Sequence, residues 1–285
     1  MWLLLACTAS DPVESTPTPF VDVPWSKIRP ALTEKAPTGE RWQRGIIHLH
    51  SHYSHDACDG EPMPGGVPDE ACLADLRQGL CDTATDYAFI TDHPTHAAAQ
   101  PYSDLLLVRE GDEVIDGVAN SMGCPDGHRV LLMPGIEDEL MPVGLTRQVS
   151  EDPEEADQIY NSYDTSTVAA EAAAGALVLH AHTESKNLEK LKELQAAGLR
   201  GVEIFNLHAM LDPDIRKDYL GLDPLGYLQD LGPFLETDGD ITPDLGFLAI
   251  FQEQGISLEY YDSLAALGPI TAHAGTDAHQ NVLPP

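Results

Sequence analysis

Apolar runs of strand length recur along this chain, at 45–50, 87–91, 129–133, 176–182, 201–205 and 269–273. The segments between them carry the helical period instead. Residues 69–80 space apolar side chains three and four apart, and 166–174 is rich in alanine. Residues 187–197 run into Gly198 and 256–267 into Gly268, where a helix C-terminus favours glycine. Strands alternating with helices predict an α/β fold on a largely parallel sheet, open or closed into a barrel. Two stretches break the pattern. Residues 8–40 are rich in Pro, Ser and Thr and read as an extended tether, and 221–255, rich in Gly, Pro and Asp, reads as a surface excursion. No internal repeat is visible, so 41–285 reads as one globular domain.

The polar residues gather at one edge of that domain. His48 and His50, Thr91-Asp92-His93, Glu137, His180 and His182, Glu203, and Asp277 with His279 all stand at or just past the C-terminal ends of predicted strands. In parallel α/β folds that edge builds the site. Residues i and i+2 of a strand share a side, so His48-Leu-His50, His180-Ala-His182 and Asp277-Ala-His279 each offer a pair of ligands. His52 keeps the parity of the first pair, His55 follows it, and Glu137 could bridge two cations. A mixture of imidazole and carboxylate suits Zn²⁺, Mn²⁺ or Fe and not Ca²⁺, which prefers oxygen. The ligands outnumber what one ion uses, which predicts two or three divalent cations. Asp92 is placed to orient a ligand imidazole through its other N–H, and Glu203 to support from its strand. His52, His96 and His180 are the candidates to meet substrate or to protonate a leaving group. His128 reads as a surface turn residue and His208 as a cap of the next helix.

Charge narrows the partners. The chain carries 47 acidic and 15 basic side chains, a net −32 with its 12 histidines neutral. That opposes nucleic acid, which is bound by clustered Lys and Arg, and opposes docking on anionic lipid through a basic patch. Disorder is not implied, because 42% of residues are hydrophobic and 22% charged. The apolar residues 1–7, ending Leu-Leu-Ala-Cys7, resemble the end of a bacterial lipoprotein signal with Cys7 as the lipidated residue; they are too short to span a bilayer, which takes about 20 apolar residues. Four further cysteines, Cys58, Cys72, Cys81 and Cys124, suit two disulfides in an exported protein, with three connectivities open.

Taken in order, His48-x-His50 with Ser54-His55, Ile90-Thr-Asp-His93, Pro134-Gly-Ile-Glu137, Ala181-His182 and Gly275-Thr-Asp-Ala-His279 resemble the PHP (polymerase and histidinol phosphatase) superfamily from about residue 44 onward. The resemblance implies a distorted (βα)₇ TIM-like barrel and a di- or trinuclear metal centre that hydrolyses phosphate esters. By position it puts His48, His50, Glu137 and Asp277 around one metal and His55, His93 and His279 around a second, with Glu137 reaching toward a third that includes His182. The chain departs from the family in three places. His55 stands where Asp is usual, with Asp56 next door. The family's His-Pro-x-Arg stretch is His182-Thr-Glu-Ser185 here, without proline or arginine. A further histidine between Glu137 and His182 is missing unless His180 serves, so the choice between His180 and His182 stays open.

The functional expectation is a metal-dependent hydrolase acting on a small molecule, a phosphoesterase foremost. The alternatives are hydrolysis of a carbamate, amide or carboxylic ester, and a non-catalytic metal-binding protein of the cell surface. The leader and cysteines predict export to the periplasm or outer cell surface, touching the membrane only through a lipid at Cys7. The chain stops soon after His279, where a barrel would close with another helix, so a C-terminal truncation is also expected.

Overall fold

The computed structural model of the protein describes residues 40, 42–229, 231 and 250–280. The expectations for 1–7 with Cys7, for the tether 8–40 except Glu40, and for much of the 221–255 excursion fall outside the described residues.

The first strand is short, β1 (Gly45–Ile46), and the chain continues beside the sheet through His48 and His50. Helix α1 (Glu70–Asp82) follows, capped by the Asp69 carboxylate, which accepts the N–H groups of Ala71 and Cys72; Leu73, Leu76 and Leu80 turn to the core at helical spacing. Next come β2 (Tyr87–Asp92), β3 (Glu113–Ile115), β4 (Ala119–Gly123), β5 (Arg129–Ile136) and β6 (Leu140–Val143). Helices α2 (Pro153–Tyr160) and α3 (Thr165–Ala173) lead to β7 (Leu177–His180), α4 (Leu188–Ala197) and β8 (Gly201–Asn206). The described chain ends with α5 (Leu207–Leu211), α6 (Pro213–Asp218), α7 (Gly255–Ala265) and β9 (Thr271–Gly275).

The strands pair in the order β1-β2-β5-β6-β7-β8-β9, with β4 beside β5 and β3 beside β4. A parallel bridge between Leu49 and Ala278, with His50 N–H donating to the Ala278 carbonyl at 3.0 Å, brings the two ends of that order together. The result is a mixed α/β fold on a nearly closed, barrel-like sheet. The expectation of a largely parallel sheet with regular strand–helix alternation is corrected in one arc. β6 turns back on β5 through residues 137–139 and runs antiparallel to both β5 and β7. β3 and β4 add an antiparallel hairpin against β5. These strands gave little sequence signal: β6 contains Pro142 and β4 reads Ala-Asn-Ser-Met-Gly, neither a typical strand composition.

One apolar cluster lies between α1, β2, β4 and β5, and a second between β7, β8, α3, α4 and α7. No helix among the described residues is long and apolar enough to cross a membrane. The cysteines form Cys58–Cys72 and Cys81–Cys124, the pairing of a chain matured in an oxidising compartment.

Candidate metal centre

The ends of β2, β5, β7 and β8 and the segments after β1 and β9 converge on one cluster. Its ligand-type atoms fall into four groups, each within 4.8 Å: His48, His50 and Asp277; His48, Glu137 and His182; His50, Asp56, His93 and His279; and His208, Asp277 and His279. His48, His50, Glu137 and Asp277 are buried, while His93 and His182 line an open pocket with Asp138, Glu139 and Lys186.

Five imidazoles turn Nε2 inward, and each has an outer partner at Nδ1. His48 Nδ1 gives its hydrogen to Glu203 Oε1 at 3.0 Å, and His50 Nδ1 gives its own to Ser54 Oγ at 3.0 Å. Ser54 Oγ in turn donates to Asp56 at 2.8 Å. His93 Nδ1 donates to the Glu137 carbonyl at 2.8 Å, and His279 Nδ1 to the Asp277 carbonyl at 2.9 Å. His182 Nδ1 lies 3.4 Å from Glu184 Oε1. A hydrogen held at Nδ1 leaves the Nε2 lone pair facing the centre, which is the tautomer a metal ligand needs. Within the cluster, Asp277 Oδ1 is 3.2 Å from His48 Nε2 and 3.1 Å from His50 Nε2, and Asp56 Oδ2 is 3.3 Å from His93 Nε2 and 3.2 Å from His279 Nε2. His48 Nε2 and His279 Nε2 are nevertheless buried without a hydrogen bond. Buried polar atoms normally find a partner, and orphaned ligand atoms facing one centre are what a cation would satisfy. The donor set fits Zn²⁺, Mn²⁺ or Fe.

The field of the cluster favours positive charge. Burial opposes protonation of His48, but Glu203 and Asp277 outweigh it and raise its pKa to about 9. His182, beside Glu184 and Glu137, rises against its burial to about 10, and His93, beside Asp56 and Glu137, to about 11. His50, where burial prevails, falls to about 4. Although burial works against ionisation, the imidazoles hold Asp277 well below the carboxylate range, and His48 leads in bringing Glu203 to about 2.

Local backbone accounts for the aim of these groups. Gly275 admits the close approach: a Cβ there would sit 1.9 Å from Glu203 Oε1 and 2.9 Å from the His48 Cβ. His182 and Asp277 hold left-handed backbone, at φ 47° and 52°. Such conformations in non-glycine residues are unfavourable and recur at functional sites.

The candidates from sequence fall into place unevenly. His55 is exposed and joins none of the ligand groups, its ring 4.9 Å from that of His93, while Asp56 enters the cluster in its stead. Of the pair 180 and 182, His182 faces the centre. β7 ends at His180 and the left-handed turn at His182 breaks the strand parity, so His180 points away, its Nε2 accepting the Tyr163 hydroxyl at 2.7 Å. Burial lowers the His180 pKa to about 3. Asp92 does not orient an imidazole: it accepts the backbone N–H and the hydroxyl of Ser51, and burial raises its pKa to about 6. That orienting role falls to Glu203. His52 is buried outside the cluster with Nδ1 on the Asp69 carbonyl at 3.0 Å, and His96 belongs to none of the groups. His128 is half-buried, with Nε2 2.6 Å from the Thr85 carbonyl.

Two groups at the centre drew no site role from sequence. Asn206 Nδ2 donates to Glu203 Oε2 at 3.0 Å and Asp277 Oδ2 at 3.2 Å, joining two carboxylates from different strands. His208 stands at the rim, its Nδ1 3.9 Å from Asp277 Oδ2. Their position past the end of β8, the edge that supplied the other candidates, was the available signal.

No protein-family model matches the chain, and no curated protein does. Among solved structures, PsfC from Pseudomonas syringae PB-5123 is similar at a TM-score of 0.44 and 15% identity, the match covering 84% of this chain and 78% of that one, a likeness too distant to speak to chemistry.

Proposed function

We propose that this protein is a metal-dependent hydrolase of the PHP type, with a centre of at least two divalent cations and a phosphoester as the foremost substrate. One observation carries the reading: five imidazoles from four segments present Nε2 to a common centre, each held at Nδ1 by an outer acceptor, with Asp56, Glu137 and Asp277 among them. His48, His50 and Asp277 would hold one cation, Asp56, His93 and His279 a second, and Glu137 with His182 the side facing the open pocket. Such cations, when bound, supply Lewis acidity and lower the pKa of a water. The chain's own residues fix the geometry. Glu203 holds His48 in its ligating tautomer, Asn206 spaces Glu203 from Asp277, and Ser54 links His50 to Asp56. The substrate is a small molecule entering by the pocket beside His93 and His182, in a protein exported from the cytoplasm, which the two disulfides support, and anchored through Cys7.

A specific feature favours a second reading, hydrolysis of a carbamate, amide or carboxylic ester. The pocket is lined by Glu137, Asp138, Glu139 and Glu184, and its cation Lys186 is already paired with Glu139. An anionic phosphate would meet repulsion on entry, whereas an uncharged ester would not. The test is metal analysis of the purified protein, followed by assays on a phosphomonoester, a phosphodiester and a carboxylic ester. His48→Ala and Asp277→Ala should each abolish the activity found. Metal bound without turnover of any of the three would leave the cell-surface metal-binding protein as the better reading, and protein that takes up no metal would sink both hydrolase readings.

A further inference from the structure

The three residues that would hold the second cation come from three segments, and one of these is neither strand nor α-helix. His93 directly follows β2, and His279 lies on one of the two segments that close the barrel. Asp56 instead lies on residues 54–58, between a turn and a single 3-10 turn. Cys58 and Asp59 there adopt left-handed backbone, at φ 56° and 58°, a conformation that persists only where surrounding structure imposes it.

That surrounding structure is the N-terminal end of α1. Cys58, two residues past Asp56, is bonded to Cys72 in the first turn of α1. Cys58 N–H donates to the carbonyl of His279 at 2.9 Å, and Gln280, next to His279, donates from Nε2 to the carbonyl of Cys72 at 2.8 Å. Asp56 and His279, whose ligand atoms lie 3.2 Å apart, are thereby tied to each other and to one rigid helix end. The other disulfide, Cys81–Cys124, joins the far end of α1 to the turn between β4 and β5 and touches no ligand segment.

We propose that the Cys58–Cys72 disulfide, with Gln280, is the positioning device of the second cation site, holding Asp56 and His279 at ligating distance. The inference rests on the metal reading above and goes beyond it by assigning these three residues a part in divalent-cation binding.

Metal-stripped wild-type protein, C58A/C72A, C81A/C124A and Gln280→Ala would be titrated with Zn²⁺ against a chromophoric chelator, with circular dichroism recorded for each. C58A/C72A should keep one equivalent near wild-type affinity and bind the other at least about tenfold more weakly, as loss of supporting contacts does. C81A/C124A should keep both equivalents even where its melting temperature falls, a contrast that a merely structural role would not produce. Both equivalents bound by C58A/C72A as tightly as by wild type, or the same weakening in C81A/C124A, would overturn the proposal. Should C58A/C72A lose the native spectrum, Gln280→Ala decides: with both disulfides intact, weakening of one equivalent supports the tie and unchanged binding refutes it. Wild-type protein that takes up no Zn²⁺ would instead refute the metal reading itself.

Discussion

Glu203→Gln is the sharpest test of how the centre is held. The carboxylate is fully buried, and each of its oxygens accepts: Oε1 from His48 Nδ1–H at 3.0 Å, Oε2 from the His182 N–H and from Asn206 Nδ2, both at 3.0 Å. A glutamine has the same shape but must turn its NH₂ to one side. Toward His48, it would push the ring hydrogen from Nδ1 to Nε2, into the centre, where it blocks ligation. Turned the other way, it sets a donor against two donors, leaving buried groups unpaired. Losing a supporting partner of this kind weakens metal binding about 10- to 100-fold, or about 1.4 to 2.7 kcal/mol. In the metal-free protein the cost is separate. With a folded pKa near 2 against an ordinary 4.5, the ionised group contributes on the order of 3 kcal/mol, present above the unfolded pKa and lost as pH falls toward 2. Two measurements follow, chelator-competition affinity for the first equivalent and urea denaturation of the metal-free protein near neutral pH. Affinity within about twofold of wild type would refute the orienting role, whatever the stability result.

The raised pKa values of His48, His93 and His182, about 9, 11 and 10, mean that near neutral pH incoming cations must displace protons. Calorimetric titration in buffers of different ionisation enthalpy should register proton release, and affinity should fall as pH drops; binding without proton exchange would contradict this electrostatic picture. Asp56→Asn should weaken one metal equivalent about tenfold or more while His55→Ala leaves both unchanged, since only Asp56 enters a ligand group; the reverse result would restore His55. Glu171 supplies a pH test away from the centre. Both its oxygens are buried without a partner, and burial, with the Asp138 charge adding to it, raises its pKa well above 4.5. Its contribution to stability is complete below the unfolded pKa and lost as pH rises through the folded one, so Glu171→Gln should gain melting temperature relative to wild type between about pH 5 and pH 9. A difference that stays constant over that range would count against it.

The parts of the fold legible in the sequence were those where local pattern and tertiary role agree. Residues 187–197 carry the helical period, Asn187 caps the N-terminus by accepting from Glu189 and Lys190, and Gly198 stands at the C-cap, so α4 forms where expected. β2, β5 and β8 also match their apolar runs, to within a few residues at their ends. The hairpin of β5 and β6 was illegible, because a proline-containing tetrapeptide becomes a strand only when two neighbours supply its partners. At the centre, residue type and strand-end position were enough to single out most of the ligand groups. Direction was not, because parity assumes a continuing strand. Left-handed backbone at His182 re-aims that side chain, and only the three-dimensional path around Cys58 brings Asp56 in beside His279. Asn206 and His208 were missed as site groups for a related reason: they gain meaning only when β8 and the segment after β9 lie side by side.

The acid surplus has a local logic that the net charge of −32 conceals. Asp69, Asp152, Asp164 and Asp212 each cap a helix, accepting two backbone N–H groups apiece, where a carboxylate also meets the positive end of the helix dipole. A second set, Asp56, Glu137, Glu203 and Asp277, is drawn into the centre and held ionised there by imidazoles. Neither set calls for a basic partner. A third group matters for chemistry: Asp138, Glu139 and Glu184 stand at the pocket beside the centre. Their charge attracts cations toward the centre and repels anions from the same opening. On the hydrolase reading proposed above, that opening would favour a substrate with a single, shielded negative charge or none over a phosphate dianion. Among phosphoesters, this argues for a diester ahead of a monoester.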